Sequence, residues 1–163
     1  MSRSVDAITL EIMRNLLLSV SEEMGATLIK TAYSTNIKER RDCSTAVFDP
    51  EGRMIAQAEM IPMHLGSLLG VVEEILKKYP RETLAPGDMF IANDPYAGGG
   101  THLPDITMAA PVFVDGELVG FVANLAHHAD VAAGCPAPPR ATRTPSSRRG
   151  CGSRWCGCAA PAS

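Results

Sequence analysis

DITMAAPVFVDGELVGFVANLAHH, residues 105–128, holds two runs of apolar and β-branched residues on either side of Asp115-Gly116. Asp-Gly favours the tight turn of a β-hairpin, because both positions tolerate a positive φ. The stretch therefore predicts two long antiparallel strands that meet at Asp115-Gly116. Just before it, GDMFIAND (residues 87–94) predicts a further strand that ends at Asp94-Pro95.

The start of the chain has the period of a helix. After Asp6, apolar residues recur at every fourth position, namely Ile8, Ile12, Leu16, Val20, Met24 and Leu28. This spacing places apolar side chains on one face and predicts a long amphipathic helix. HLGSLLGVVEEILKKY (residues 64–79) predicts a second helix, which Pro80 ends.

Two strand-like runs lie between these helices. CSTAVF (43–48) and RMIAQA (53–58) flank Asp49-Pro50-Glu51-Gly52, whose residues favour a turn, so a second hairpin is expected. The order along the chain is helix, hairpin, helix and several strands. It predicts a mixed α/β (α+β) fold with β-hairpins in a largely antiparallel sheet.

The composition divides the chain near Val131. All 18 acidic residues and 10 of the 15 basic ones lie in residues 1–131, which carry −8, whereas residues 132–163 carry five arginines and no acid. The tail has Trp155 as its single large apolar residue, so we expect it to be disordered. Its Ala, Gly, Pro, Arg and Cys content resembles an out-of-frame translation of GC-rich DNA. Our hypothesis is a truncated domain in 1–131 followed by a frameshifted tail in 132–163.

The cellular setting follows from the cysteines and the hydropathy. Cys43 is the one cysteine of residues 1–131, which favours a reducing compartment over a disulfide framework. The N-terminus lacks the pattern of a signal peptide, and no apolar run reaches membrane length. The tail cysteines lack zinc-finger spacing, and the tail arginines are a weak sign of nucleic-acid binding. We expect a cytoplasmic protein that binds neither nucleic acid nor membranes.

Gly98-Gly99-Gly100 is the first motif with chemical content. No Lys-Ser or Lys-Thr follows these glycines, so the phosphate-binding loop of nucleotide-binding proteins is absent. Two interpretations stay open. The glycines form a flexible connection whose backbone passes close to another group, or they contact an anionic part of a substrate.

The histidines that follow suit a metal. Pro104 excludes a helix at His102-Leu103-Pro104-Asp105, and a turn there would let His102 and Asp105 converge. His127 and His128 lie at the end of a strand and point to opposite faces, so at most one of them joins that pair. Two imidazoles and a carboxylate suit Mn, Fe(II) or Zn. The alternative is ordinary polar residues at strand ends.

Three further features have a plain and a functional interpretation. The charged run around Lys38, Arg40 and Arg41 is a solvated connection or a wall that faces an anionic substrate or a partner subunit. Cys43 opens an apolar strand without a neighbouring histidine, which argues against a nucleophile. His64 is expected to be a capping or packing histidine.

Three long motifs in this order resemble one family. EEMGATLIKTAYSTNIKERRDCSTAVFDPEGRMIAQAEMIPMHLGS, NDPYAGGGTHLPDI and HHADV are similar to the B subunit of the hydantoinase B/oxoprolinase family, which includes N-methylhydantoinase B, ATP-dependent 5-oxoprolinases and an acetone carboxylase subunit. The resemblance covers about residues 5–131. The B domain of that family is several times longer, so it implies an N-terminal portion.

The resemblance implies a site and a set of ligands. In the carboxylase branch, the positions that match His102, Asp105 and His127 bind a divalent metal (Mn, with Zn and Fe as other candidates). His128 would then lie beside the ligands or have a structural role, and Asp94 would flank the site. No catalytic residue is identified beyond these.

The resemblance also implies the chemistry. An A-type partner subunit binds ATP with Mg and phosphorylates a carbonyl oxygen of a small cyclic amide or ketone. Hydrolysis of a hydantoin or of oxoproline is the first expectation, and a subunit of an ATP-dependent ketone carboxylase is the alternative. An independent Fe(II) oxygenase and an inactive truncated product are the other possibilities.

Overall fold

The computed structural model describes residues 5–58, 60–61, 64, 66–96 and 100–129, and the backbone of Cys156–Ala159. The helices are α1 (Ala7–Thr31), α2 (Thr35–Lys38) and α3 (Val71–Lys78), with a 3-10 turn at Arg81–Thr83. The strands are β1 (Cys43–Phe48), β2 (Met54–Gln57), β3 (Asp88–Ala92), β4 (Asp105–Val114), β5 (Glu117–His127) and β6 (Cys156–Ala159). The mixed α+β class is confirmed.

The strands form one antiparallel sheet in the order β2-β1-β5-β4-β3-β6. Its centre is the hairpin of β4 and β5, which turns at Asp115 (φ 50°) and Gly116 (φ 83°), as the sequence predicts. From this turn the pairing runs to Asp105 opposite His127, with one register shift between Val112 and Phe113. The two chain ends of the hairpin therefore bring two of the predicted site residues together.

The hairpin of β1 and β2 is also confirmed. The carboxylate of Asp49 accepts hydrogen bonds from the backbone N–H groups of Glu51 (3.0 Å) and Arg53 (2.8 Å), which fixes the turn. Gly52 has a φ of 87°, a conformation that favours glycine. β1 then pairs along its whole length with β5, so this hairpin extends the sheet.

The main hydrophobic core lies between α3 and one face of the sheet. It is made of buried residues from both: Ala46, Phe48, Leu68, Val71, Val72, Ile75, Leu84, Phe90, Ala92, Ala109, Phe121, Ala123 and Leu125. The helix is shorter than the sequence predicts, because it begins at Val71 and not at His64. Gly70 has a left-handed φ of 82°, which breaks the helical backbone just before that point.

α1 packs on the opposite face of the sheet through its C-terminal half, so only the end of the predicted apolar stripe takes part. Its buried residues are Ser21, whose carbonyl accepts a hydrogen bond from Thr45 (2.7 Å), and Gly25. Ile8 and Leu16 of the expected stripe are 75% and 56% exposed. The prediction of the helix is confirmed. Of the predicted stripe, Ile8, Ile12, Leu16 and Val20 are exposed, whereas Leu28 packs against the small core that contains Cys43 of β1. The small residues Ser21 and Gly25 let the backbone of α1 approach β1 closely.

Most of the predicted tail lies outside the described residues. Within it, the backbone of Cys156–Ala159 pairs antiparallel with β3, a strand that the sequence does not predict. The proposed disorder and frameshift of residues 132–163 stay predictions. Among the described residues, no helix is long and apolar enough to cross a bilayer.

Candidate metal centre

The hairpin and the turn before it bring three predicted site residues together. Asp105 is the first residue of β4, and it pairs with His127, the last residue of β5. Residues that pair across antiparallel strands project from the same face of the sheet. His102 reaches this point because the chain turns at Leu103-Pro104, where the N–H of Asp105 donates to the carbonyl of His102 (3.0 Å). The predicted turn is present.

The donor atoms of His102, Asp105 and His127 converge. One ligand atom of each lies within 4.8 Å of the others. The two imidazole ring centroids are 4.8 Å apart with an angle of 50° between the planes. Two ring nitrogens and a carboxylate oxygen at such separations can surround a single divalent ion.

Asp105 is completely buried, and its two carboxylate oxygens differ. Oδ2 accepts hydrogen bonds from the backbone N–H (2.9 Å) and the hydroxyl (3.0 Å) of Thr101. Oδ1 is buried and has no hydrogen-bond partner among the described residues. An unpaired oxygen on a buried carboxylate is costly unless a cation or a donor satisfies it. One oxygen of this carboxylate is therefore held by the turn, and the other lacks a partner among the described residues.

His102 is oriented by the same turn. Its Nδ1 lies 2.9 Å from the hydroxyl of Thr101 and 3.2 Å from Oδ2 of Asp105. With Nδ1 engaged, Nε2 is the ring atom left for a metal. The side chain is 45% exposed, so the site opens to solvent on this side.

His127 is oriented from a distant part of the chain. Its Nδ1 lies 3.1 Å from Nδ2 of Asn36, and its backbone N–H donates to the carbonyl of Asp42 (3.0 Å). His128 is exposed, and its backbone N–H donates to the carbonyl of Pro104 (3.0 Å). The two histidines thus differ as the alternation along a strand predicts, and His127 is the one beside Asp105.

Gly100 allows the turn to fold onto Asp105. Its φ is 76°, and a Cβ at this position would lie 2.4 Å from the Cβ of Asp105. Of the two interpretations of the glycines, the close backbone approach is therefore confirmed at Gly100. Gly98 and Gly99 lie outside the described residues.

The other candidate residues are not part of the cluster of His102, Asp105 and His127. Asp94 accepts a hydrogen bond from the backbone N–H of Tyr96 (2.9 Å), which is a local turn contact. Its place beside the ligands stays a prediction, as does that of His128. Lys38, Arg40 and Arg41 are exposed, and their role toward a substrate or partner stays a prediction too.

Two residues near the cluster have structural roles. His64 is buried, with Nδ1 3.1 Å from the hydroxyl of Ser44 and Nε2 3.5 Å from Asp42, which confirms a packing histidine. Burial raises the pKa of the Cys43 thiol to about 11, and the carboxylate of Asp42 adds to the shift. Cys43 is therefore a protonated thiol at neutral pH, which argues against a nucleophile.

Three contacts around the site do not follow from the sequence pattern. Thr101 precedes His102 directly, and a hydroxyl beside a candidate ligand is a signal that sequence reasoning could have used. Asn36 and Asp42 are 91 and 85 residues away from His127 along the chain, and no local motif links them.

The chain that carries this cluster is similar to proteins of one family. A profile of the hydantoinase B/oxoprolinase family matches residues 6–145. 5-oxoprolinase 1 of Arabidopsis thaliana is 47% identical over 126 residues, which are 77% of this chain and 10% of that protein. The caprolactamase subunit beta of Pseudomonas jessenii is 39% identical over 134 residues, which are 82% of this chain and 23% of the subunit.

Solved structures agree with the sequence matches. The crystal structure of the ATP-dependent caprolactamase from Pseudomonas jessenii matches 98% of this chain and 27% of its own, with a TM-score of 0.80 and 34% identity. Nucleotide-free acetone carboxylase matches 77% of this chain and 17% of its own, with a TM-score of 0.62 and 24% identity, a likeness of fold.

This chain therefore spans from a tenth to about a quarter of the length of these relatives. The shared part includes the described helices and the central hairpin, since the caprolactamase match covers nearly the whole chain. The family profile covers most of the sequence, and the chain belongs to the hydantoinase B/oxoprolinase family.

Proposed function

We propose that this chain is the metal-binding part of the B-type component of an ATP-dependent enzyme that hydrolyses a cyclic amide. The observation that carries the proposal is the convergence of His102, Asp105 and His127 within 4.8 Å, in a fold shared with a caprolactamase. Relatives named 5-oxoprolinase and caprolactamase support cyclic amides as the substrate class.

The residues fit a divalent metal ion. Oδ1 of Asp105 is a buried carboxylate oxygen without a hydrogen-bond partner in the described part of the chain, and a cation would satisfy it. Two imidazoles and one carboxylate leave coordination positions open, which suits Mn, Zn or Fe. A divalent ion held there would polarise a carbonyl oxygen or orient a water molecule.

The chain's own residues would then have distinct tasks. Asp105 supplies the negative charge and shares its second oxygen with the backbone of Thr101, which keeps the carboxylate in one orientation. Thr101 also holds the ring of His102. Because His102 is nearly half exposed, a small substrate would approach the cluster from that side.

ATP would bind to a partner subunit. The glycines before His102 lack the Lys-Ser or Lys-Thr of a phosphate-binding loop. The related caprolactamase is named as ATP-dependent, and its matching chain as subunit beta, so an A-type partner is the simplest source of nucleotide binding. A cytoplasmic location accords with ATP use and with the protonated thiol of Cys43.

The first test is the metal content of the purified chain after loading with Mn²⁺, Zn²⁺ or Fe²⁺ and removal of the free ion. We expect about one ion per chain in the unaltered protein and a loss of at least 10-fold in affinity for His102→Ala. His128→Ala is the matched control, because His128 is a neighbouring exposed histidine outside the cluster. Elemental mass spectrometry that finds no ion, or the same ion content in His102→Ala, would contradict the metal site.

The second test addresses the reaction. The chain would be mixed with the ATP-binding subunit of a caprolactamase, and phosphate release would be measured with and without a cyclic amide. We expect amide-dependent ATP hydrolysis that His102→Ala abolishes and His128→Ala retains. If the metal is bound but phosphate release is the same with and without the amide, the result would contradict the proposed hydrolase activity and leave the metal site standing.

A further inference from the structure

Asn36 contacts a candidate metal ligand from a helix. It lies in α2, and its Nδ2 is 3.1 Å from Nδ1 of His127, 91 residues later in the chain. Both side chains are partly buried, so this hydrogen bond is shielded from water on at least one side. The contact leaves one ring nitrogen of His127, Nε2, for a metal.

The chemistry of the two groups links this contact to metal binding. An amide nitrogen can only donate, so with Nδ2 facing the ring, Nδ1 accepts and the proton of a neutral imidazole lies on Nε2. A ligating Nε2 must carry no proton, which places the proton on Nδ1. Nδ1 then needs an acceptor, and a half-turn of the Asn36 amide presents Oδ1 at nearly the same place.

The backbone around Asn36 is fixed firmly enough to hold such a contact. Its carbonyl accepts a hydrogen bond from the N–H of Asp42 (3.0 Å), and the carbonyl of Asp42 accepts one from the N–H of His127 (3.0 Å). The chain returns to make this link through Arg41, whose φ is 54°. Asn36, Asp42 and His127 thus form a closed set of hydrogen bonds.

The neighbouring residue anchors α2. Ile37 is 4% exposed and belongs to a small core with Cys43 and Ala126. Because Ala126 directly precedes His127, the same apolar cluster fixes the backbone on both sides of the contact. The backbone at Asn36 is therefore held in place by buried residues.

His102 offers a contrast. Its Nδ1 is held by Thr101 and Asp105, which belong to its own turn. His127 ends a strand and has no such turn around its ring. Its orientation depends on a residue from α2, and this makes Asn36 the support that a metal ligand commonly requires.

We propose that Asn36 is a positioning residue, which accepts the Nδ1 proton of His127 through its side-chain oxygen and so presents Nε2 to the metal. The inference rests on the proposed metal site. It predicts that the donor and acceptor roles at this contact reverse when the metal binds. It also predicts that an acceptor alone at position 36 is sufficient.

The test compares Asn36→Leu, which removes both roles at similar volume, with Asn36→Asp, which keeps only the acceptor. Asn15→Leu is the control, since Asn15 is exposed on α1 and contacts Glu11 in its own helix (3.5 Å). Zn²⁺ affinity would be measured by chelator competition, and the ring tautomer of His127 by ¹⁵N NMR before and after loading.

We expect Asn36→Leu to weaken Zn²⁺ binding by about 10–100-fold, with Asn36→Asp and Asn15→Leu within a few-fold of the unaltered chain. The NMR signals should show the proton on Nε2 without metal and on Nδ1 with metal. Equal affinity in Asn36→Leu, a folded Asn36→Asp that binds as weakly as Asn36→Leu, or an Nδ1 without a proton in the loaded chain would each overturn the inference.

Failure of the metal site itself gives a different result. In that case the unaltered chain takes up no ion, and both the site and the role of Asn36 toward it are rejected together. If the unaltered chain binds Zn²⁺ and the Asn36 variants match it, the metal site stands and the positioning role is rejected alone.

Discussion

Two regions of the molecule differ from the usual pattern of burial, and they differ in opposite ways. One is the N-terminal half of α1, and the other is the end of the sheet that carries the histidines. On α1, large apolar side chains such as Ile8 and Leu16 are exposed. At the sheet end, the carboxylate of Asp105 is fully buried, and one of its oxygens has no hydrogen-bond partner among the residues that the structure describes. A fold normally buries apolar groups and pairs buried charges. Among the described residues, α1 thus leaves apolar surface uncovered, whereas the sheet end leaves a buried carboxylate oxygen unpaired.

The difference lies in what would satisfy each region. A single small cation is enough for Asp105, and His102 and His127 already stand around the place it would take. The exposed side chains of α1 point in several directions, so no single small group could cover them. The sheet end can therefore be tested with ions, whereas α1 is tested through its contribution to stability.

Cys43 tests how well α1 covers the sheet, because it is buried beneath the C-terminal half of this helix beside Ile37 and Ala126. With a pKa of about 11 in place of an ordinary 9.0, its thiolate fraction at pH 8 is about 100-fold smaller than that of a free thiol. We expect iodoacetamide to modify Cys43 at least about 100-fold more slowly than the same residue in the urea-unfolded chain. Peptide mass spectrometry separates Cys43 from the tail cysteines.

The same shift predicts a pH dependence. The folded-state pKa lies above the ordinary value, so the protonated thiol favours the folded state. This contribution is fully present below about pH 9 and is lost as pH rises toward 11. Urea unfolding between pH 8 and 11 should show it, and Cys43→Ala should have a flatter pH profile. Rapid alkylation in the folded chain would mean that α1 does not cover β1.

Gly100 tests the sheet end with a smaller change. Gly100→Ala adds a Cβ 2.4 Å from that of Asp105 at a φ of 76°, so we expect Asp105 to shift and metal affinity to fall by about 10-fold. Gly87→Ala is the matched control, since Gly87 has a φ of 93° but no atom within 4 Å of its added Cβ. Both variants should lose stability through backbone strain, whereas only Gly100→Ala should lose metal. Equal metal affinity in the two variants would contradict the close packing described for the turn.

The smallest effect is expected on α1. Ile8→Lys and Leu16→Lys replace exposed side chains, so each should change the free energy of unfolding by no more than about 0.5 kcal/mol. Leu68→Ala, in the core beneath α3, should cost about 2–5 kcal/mol. Urea denaturation measures all three. A large loss in the α1 variants would show that these side chains pack against something in solution.

The sequence predicts the parts of this fold that depend on local chemistry. Asp115-Gly116 predicts the central hairpin, because few residues adopt its backbone angles. Asp6, followed by apolar residues at every fourth position, predicts α1. The contact between α1 and β1 could not be predicted in this way, since it depends on the small residues Ser21 and Gly25 as well as on the apolar Leu28. The start of α3 was set by Gly70, whose backbone angle competes with the helical pattern around it.

The candidate site also has a part that local sequence predicts and a part that it does not. His102 and Asp105 share one turn, and the proline between them makes the turn readable from the sequence. His127 beside Asp105 follows from strand alternation together with the family resemblance. Asn36 could not be found, because α2 is four residues long and its contact with His127 spans 91 residues.

The pairing of Asp105 with His127 has a consequence for how errors in strand alignment are resisted. Ten residues, roughly 30 Å, separate this pair from the turn that sets it. A slip of β5 by one residue would still place an imidazole, that of His128, opposite Asp105. The same slip would place Ala126 where Leu125 lies in the core, and Asn124 where Ala123 lies. The correct register at the ligands is therefore set by the apolar side chains further along the strand. The two adjacent histidines do not contribute to it.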